Sequence, residues 1–283
     1  MEYKYDGELN NYEKVEETKE IYKKQSYWGM AFGLQKMDNL SPSKYLIELS
    51  NDNIKGKLNN NKIEDLLNKY YEKLNMMDSK VLAERKCDLV ATRIVELLND
   101  NNFSFRPTTL KVIHEYLFKN IYDFAGKYRT YNIIKKEPIL NNETVVYASQ
   151  NEIEATLEYD FKQEMVYDYS KLSLDKQINH LVVFVSRIWQ VYPFVDGNTR
   201  TVAVMIEKYL RSLGYDVNND LFKENSIYFR NALVRSNYSN RAKNIYPTNK
   251  YLIRFFENFL SNKTHKLSSK DLIIKELFAD EDS

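Results

Sequence analysis

Turn residues are scarce in this chain, with seven glycines and five prolines among 283 residues, about a third of the usual share. Sandwiches, barrels and propellers need many tight turns, so those architectures are excluded and a mostly helical protein is predicted. Gly29 and Gly33 are the closest pair, so neither GxGxxG nor a P-loop can be written. A single cysteine, Cys87, excludes an internal disulfide and a cysteine-built zinc site, and the expected compartment is the reducing cytoplasm. No strong charge is present either: 41 basic residues face 40 acidic ones, net +1 and interspersed. That balance argues against a nucleic acid or an acidic membrane as partner. The best apolar run, Leu181 to Val191, is broken by Ser186 and Arg187, so no membrane span is expected. The polar, acid-bearing N-terminus does not read as a signal peptide. His114, His180 and His265 lack metal spacing, and His114-Glu-Tyr-Leu-Phe118 is not HExxH.

What the chain does have is helical periodicity. Residues 1–25 are charged with little pattern and are expected to be loosely ordered. Residues 26–78 read as a module of short helices, with Ser41-Pro42 as an N-cap and first-turn pair. Val90, Ile94 and Leu97/Leu98 form one stripe, and Pro107 opens a further helix. From Ile134 to Ser149 the period changes. Two β-prone runs flank Asn141-Asn142, which predicts a hairpin. Two strongly apolar helices follow, one through Ile178, Leu181, Val182, Val185, Ile188 and Trp189. The second runs through Val202, Met205, Ile206, Tyr209, Leu210 and Leu213 and stops at Gly214. The end, 263–283, reads as a charged tail with one helix predicted over Asp271 to Phe278.

The chemistry concentrates between the two apolar helices, at Tyr192-Pro-Phe-Val-Asp-Gly-Asn-Thr-Arg200. Pro193 ends one helix and Asn198 begins the next. A helix N-terminus offers unpaired N–H groups and a partial positive charge. Gly197 lets an anion approach the backbone, and Arg200 adds a fork of donors suited to phosphate. Asp196 supplies the carboxylate that a phosphate-bridging Mg²⁺ needs. From residue types alone the loop is either a phosphate site or an ordinary connection capped by Asn198 or Asp196.

This stretch resembles the signature of the Fic (Fido) family, HPFx[D/E]GNGRxxR, matching six of its eight specified positions through Arg200. Ile113-His-Glu-Tyr-Leu-Phe118 and Ile121-Tyr-Asp-Phe-Ala-Gly-Lys-Tyr-Arg129 resemble the family's upstream stretch, and the predicted hairpin sits where the family keeps its flap. The resemblance implies an all-α Fic fold over residues 79–262 with one short β-hairpin flap. It implies transfer of AMP from ATP, with Mg²⁺, to a hydroxyl of a target protein. Asp196 would hold the metal. Gly197, Asn198, Thr199 and Arg200 would hold the phosphates. Val145, Val146, Tyr147 and Ala148 of the flap would cover the nucleotide and pair with the target, and Asn237 would line the adenine side.

Three departures follow from the same resemblance. The family's general-base histidine is Tyr192 here, and a phenol of pKa about 10 is about 0.1% ionised at pH 7. Thr199 replaces a glycine, with a hydroxyl that could reach phosphate, and Ala203 replaces the second arginine. Transfer is therefore expected to be weakened. The alternatives are a retired nucleotide-binding pseudoenzyme and a helical interaction module. Residues 26–78 resemble the small antitoxin partners of Fic toxins, which puts a regulatory segment at Asp38 and Asn39. The rival, Glu96 in Thr92-Arg-Ile-Val-Glu96, fits a shorter inhibitory pattern.

Overall fold

The computed structural model describes residues 15–75, 77–261 and 263–278. Ten α-helices carry the fold among them: α1 (Val15–Gln35), α2 (Lys44–Ile54), α3 (Asn60–Tyr71), α4 (Ser79–Asn99), α5 (Pro107–Phe118), α6 (Ile153–Met165), α7 (Leu174–Val191), α8 (Asn198–Ser212), α9 (Asp220–Asn237) and α10 (Lys250–Leu260). No helix among the described residues is long and apolar enough to cross a membrane.

The two apolar helices of the sequence, α7 and α8, are central. Every residue of the α7 stripe is buried, as are Val202, Met205, Ile206, Tyr209 and Leu210 of α8. Leu213 departs from its stripe and is 42% exposed, because it caps the helix beyond its last full turn. Gly214, at φ 87°, then closes a paired C-terminal motif. Its N–H bonds to Arg211 O and that of Tyr215 to Leu210 O, both at 3.0 Å.

The N-terminal helices share this core. Helix α1 begins at Val15, so residues 15–25 are helical and not the loosely ordered stretch their polarity suggested; residues 1–14 lie outside the described residues. The helix is anchored by its second half, where Tyr27, Trp28, Met30, Ala31 and Leu34 are buried. Gly33 sets its seat: a Cβ there would lie 2.3 Å from Phe222 O on α9. The Ser226 hydroxyl donates to Gly33 O across the same contact at 2.6 Å. This close approach directs the 3₁₀ turn Lys36–Asp38 that follows α1 toward the start of α8. Helix α2 is capped by Ser43, two residues after the predicted Ser41, because Ser43 is itself fixed to the buried Asp88 through Oγ and N–H.

The predicted hairpin folds back without a ladder. Asn141 and Asn142 do take positive φ, 49° and 63°. Glu137 N–H bonds to Glu143 O at 3.0 Å, but Pro138–Leu140 form a 3₁₀ turn. Among the described residues the one isolated bridge is Asn240–Ile245. Pro138 has no N–H to donate, and Ile139, Leu140 and Val145 are drawn into the core. The C-terminal segment packs onto this flap: Ile274 N–H bonds to Ile139 O, and Asn141 donates to Leu277 O. The predicted helix over 271–278 is instead two 3₁₀ turns, Ser269–Leu272 and Lys275–Leu277, whose Leu272 and Leu277, with Ile274, are buried. Burial of these three apolar residues, with the turn of Leu272 against α9 and Ile274 and Leu277 bonded to the flap, overrides the helical spacing.

Candidate functional site

Helix α7 stops at Tyr192, which takes a left-handed conformation (φ 48°) and precedes Pro193. A bulky residue at positive φ is strained by roughly 1–3 kcal/mol and persists only where its surroundings fix it. Arg129 supplies that fixing. Its guanidinium donates to Tyr192 O (2.9 Å), Val191 O (3.3 Å), Tyr131 O (2.8 Å) and Ala148 O (2.5 Å), and its own N–H bonds to Pro193 O. The arginine thus ties the end of α7 to the base of the flap.

The loop then builds the N-terminus of α8 from its own atoms. Asn198 clamps the Phe194 peptide on both sides, accepting from its N–H (2.9 Å) and donating to its O (2.8 Å). Gly197 has φ 79°, and a Cβ there would meet the Phe118 ring at 2.4 Å, so only glycine fits. The Thr199 hydroxyl accepts the indole N–H of Trp189 at 2.9 Å, which turns it toward α7. Asp196 accepts the Gly197 N–H at 2.7 Å, the Tyr122 hydroxyl, and Lys86 Nζ at 3.2 Å. Burial alone would raise its pKa, but Arg200, Tyr122, Lys86 and the Gly197 N–H outweigh that and hold the carboxyl well below the usual range. His114 positions the same loop. Its Nδ1 accepts the Gly126 N–H and its Nε2 meets Asp196 O at 3.0 Å, so the proton is assigned to Nε2. Burial pushes its pKa down to about 4, which keeps it neutral.

Arg200 is the centre of the cleft. It is 1% exposed, with its guanidinium 4.8 Å over the Phe118 ring. Nη1 donates to Gln35 Oε1 at 3.1 Å, and Nη2 lies 2.8 Å from Asp38 Oδ2 and 3.8 Å from Asp196 Oδ1. These carboxylate contacts are ion pairs only, since Nε and Nη2 have no hydrogen-bond acceptor. Lys135 from the flap and Arg230 from α9 line the opposite side. Lys135 Nζ is 2.6 Å from Tyr192 Oη, and Arg230 pairs with the buried Glu137 at 2.6 Å. Tyr192 is 3% exposed and packs on Tyr147 and Trp189, and burial, partly opposed by Lys135, raises its pKa. With Asp38 and Met37 in place the cleft has a volume of only about 10 Å³, far below the roughly 300–1,000 Å³ of a small-ligand pocket.

The structure gathers Tyr192, Asp196, Gly197, Asn198, Thr199, Arg200 and Asp38 in this one cleft. Asn39 ends the 3₁₀ turn in a left-handed conformation and is exposed. Glu96 is placed beside Tyr116 of α5 and does not line the cleft. Asn237 is engaged by Ser186 and Leu233, tying α9 to α7. In the flap Val145 is buried and Val146 is exposed. Val146, Tyr147 and Ala148 border a neighbouring groove with Tyr159, Asp160 and Gln190. Ala203 is buried and leaves no charge at its position. Sequence reasoning missed Gln35, Lys86, Tyr122, Lys135 and Arg230. Tyr122 carried a signal through the upstream stretch, whereas Gln35, Lys86 and Arg230 carried none.

One ionised carboxylate at the cleft edge suits a Mg²⁺ ion that takes most of its ligands from phosphate and water. Among the described residues no group of three or more acids, histidines or cysteines could hold a metal alone. Residues 104–210 match the family described as Fic/DOC. No curated protein matches the chain. Among solved structures, the N-terminal Fic domain of a Bartonella effector protein (Bep) from Bartonella sp. AR 15-3, described as a substrate of the VirB T4SS, superposes with a TM-score of 0.51 at 18% identity. The match covers 71% of this chain and 88% of that one, and at this identity it speaks for the fold. The ten helices thus form a Fic-type helical fold, and residues 104–210 match the Fic/DOC family.

Proposed function

We propose that the cleft at the start of α8 binds a nucleoside triphosphate and that the chain is a Fic-type transferase of AMP to protein hydroxyls, slowed by Tyr192. The observation that carries the nucleotide reading is Arg200, which is buried at a helix N-terminus with Nε lacking an acceptor and Nη2 held only by the ion pair to Asp38. A buried donor without a partner is costly, and phosphate oxygens would satisfy Nε, take the place of Asp38 on Nη2 and meet the α8 N–H groups. ATP is the nucleotide that the family resemblance favours. Asp196 would hold Mg²⁺, which when bound neutralises phosphate charge. Asn198 and Gly197 would keep the loop in shape, and Lys135 and Arg230 would add positive charge where Ala203 has none.

Slow transfer follows from Tyr192. A general base must accept the proton of the attacking hydroxyl near neutral pH, and burial moves this phenol away from that ability. Asp38 adds a second restraint. Its carboxylate lies on the guanidinium edge that a phosphate would use, so the segment after α1 competes with the nucleotide. The exposed Val146 edge of the flap is where a target chain would dock. Calorimetric titration with ATP, with and without Mg²⁺, tests the reading. Saturable binding that is lost in Arg200→Ala supports it; equal binding by that variant refutes the site.

A further inference from the structure

The contact between Lys135 and Tyr192 has a fixed direction. An ammonium group has three donors and no acceptor, so at 2.6 Å the lysine donates and the phenol oxygen accepts. The phenol's own proton is then left to point elsewhere. Among the described residues no acceptor takes it. The nearby acid Glu137 is held by Arg230 and Tyr147. The Tyr192 ring is fixed by Tyr147, with centroids 4.5 Å apart, and by the edge of Trp189 at 5.6 Å. The walls nearest the hydroxyl are therefore rich in donors, and the missing partner is an anionic oxygen.

We propose that Tyr192, aimed by Lys135, donates a hydrogen bond to a phosphoryl oxygen of the bound nucleotide and does not accept a proton. This inference rests on the nucleotide reading of the cleft. It turns the residue at the motif's histidine position into one that retains the ligand. The raised pKa of the buried phenol agrees with the role, since a donor must stay protonated. Lys135 acts as a positioning residue through the phenol oxygen.

The test is the affinity of the full chain for α,β-methylene ATP with Mg²⁺, measured by calorimetry. The variants are Tyr192→Phe, Lys135→Met, Lys135→Arg and the Phe/Met double, each checked by its melting temperature. Tyr192→Phe keeps the ring packing and removes one oxygen, and it should weaken binding about ten- to a hundredfold. Lys135→Met should weaken binding too, the double variant should be no weaker than the worse single, and Lys135→Arg should restore most of the affinity. Unchanged affinity in Tyr192→Phe overturns the donor role, and a loss of AMP transfer alone in that variant marks Tyr192 as the proton acceptor. Fully additive losses overturn the aiming role of Lys135. If the parent chain and its Asp38→Ala form both fail to bind the analogue, the nucleotide reading itself falls and this inference with it.

Discussion

The two walls of the cleft are built in opposite ways. Residues 192–200 form a wall from one continuous stretch, closed on itself where Asn198 grips the Phe194 peptide and braced by Phe118 against Gly197 and by Arg129 on the Tyr192 carbonyl. The facing wall is gathered from three distant places, with Gln35 and Asp38 after α1, Lys135 in the flap and Arg230 on α9. A wall built from one continuous stretch and braced at several points yields little to any single change. A gathered wall can be altered one contact at a time. On the proposed function, the first wall would accept the phosphates, and the second would set how tightly they are held.

Substitutions that act on one wall at a time can break this comparison. The largest effect is expected from Tyr192→His. It places a group of unperturbed pKa near 6.5 beside the proposed phosphate site, and should raise AMP transfer about 10²–10⁴-fold. Intact mass after incubation with ATP reads it directly; equal rates for the two forms would show that the proton acceptor is not what limits transfer. Next comes Arg200→Ala, which removes the buried fork and should weaken ATP binding roughly a hundredfold in calorimetry.

Gly197→Ala tests the first wall where it abuts α5. A Cβ in the Phe118 ring together with a positive φ should cost about 2–4 kcal/mol of stability in a denaturant titration. A smaller loss would mean that the loop yields more readily than its contacts imply. The smallest effect belongs to the gathered wall. Asp38→Ala should tighten nucleotide binding about tenfold while lowering stability by about 1 kcal/mol, since the ion pair is partly solvent-screened. Weaker binding in that variant would make Asp38 a ligand-holding group and reverse its role.

Much of the fold was legible in the sequence because its signals are local. The poverty in glycine and proline predicted a helical chain, the period of 178–189 and 202–210 predicted the central pair, and Gly214 marked a helix end. In the site, the helix starts at Asn198 as expected, but Gly197 is its N-cap residue and the Asn198 side chain binds the Phe194 peptide instead of capping the helix. The flap was half legible: Asn141 and Asn142 turn as expected, yet Pro138 and the burial of Ile139 and Leu140 exclude a ladder.

By itself, then, the sequence determined the helical class, the central helices and the helix start at Asn198, because each depends on neighbouring residues along the chain. Tertiary structure alone decided which acid faces Arg200. Asp38 and Glu96 were both candidates, and the seat of α1 on α9 at Gly33 delivers Asp38, while the course of α4 places Glu96 beside Tyr116. It also decided the state of Tyr192, whose burial against Tyr147 and contact with Lys135 arise between segments more than forty residues apart. Proton affinity and ion pairing are set by desolvation and by charges brought near in space, and neither can be read from spacing along a chain.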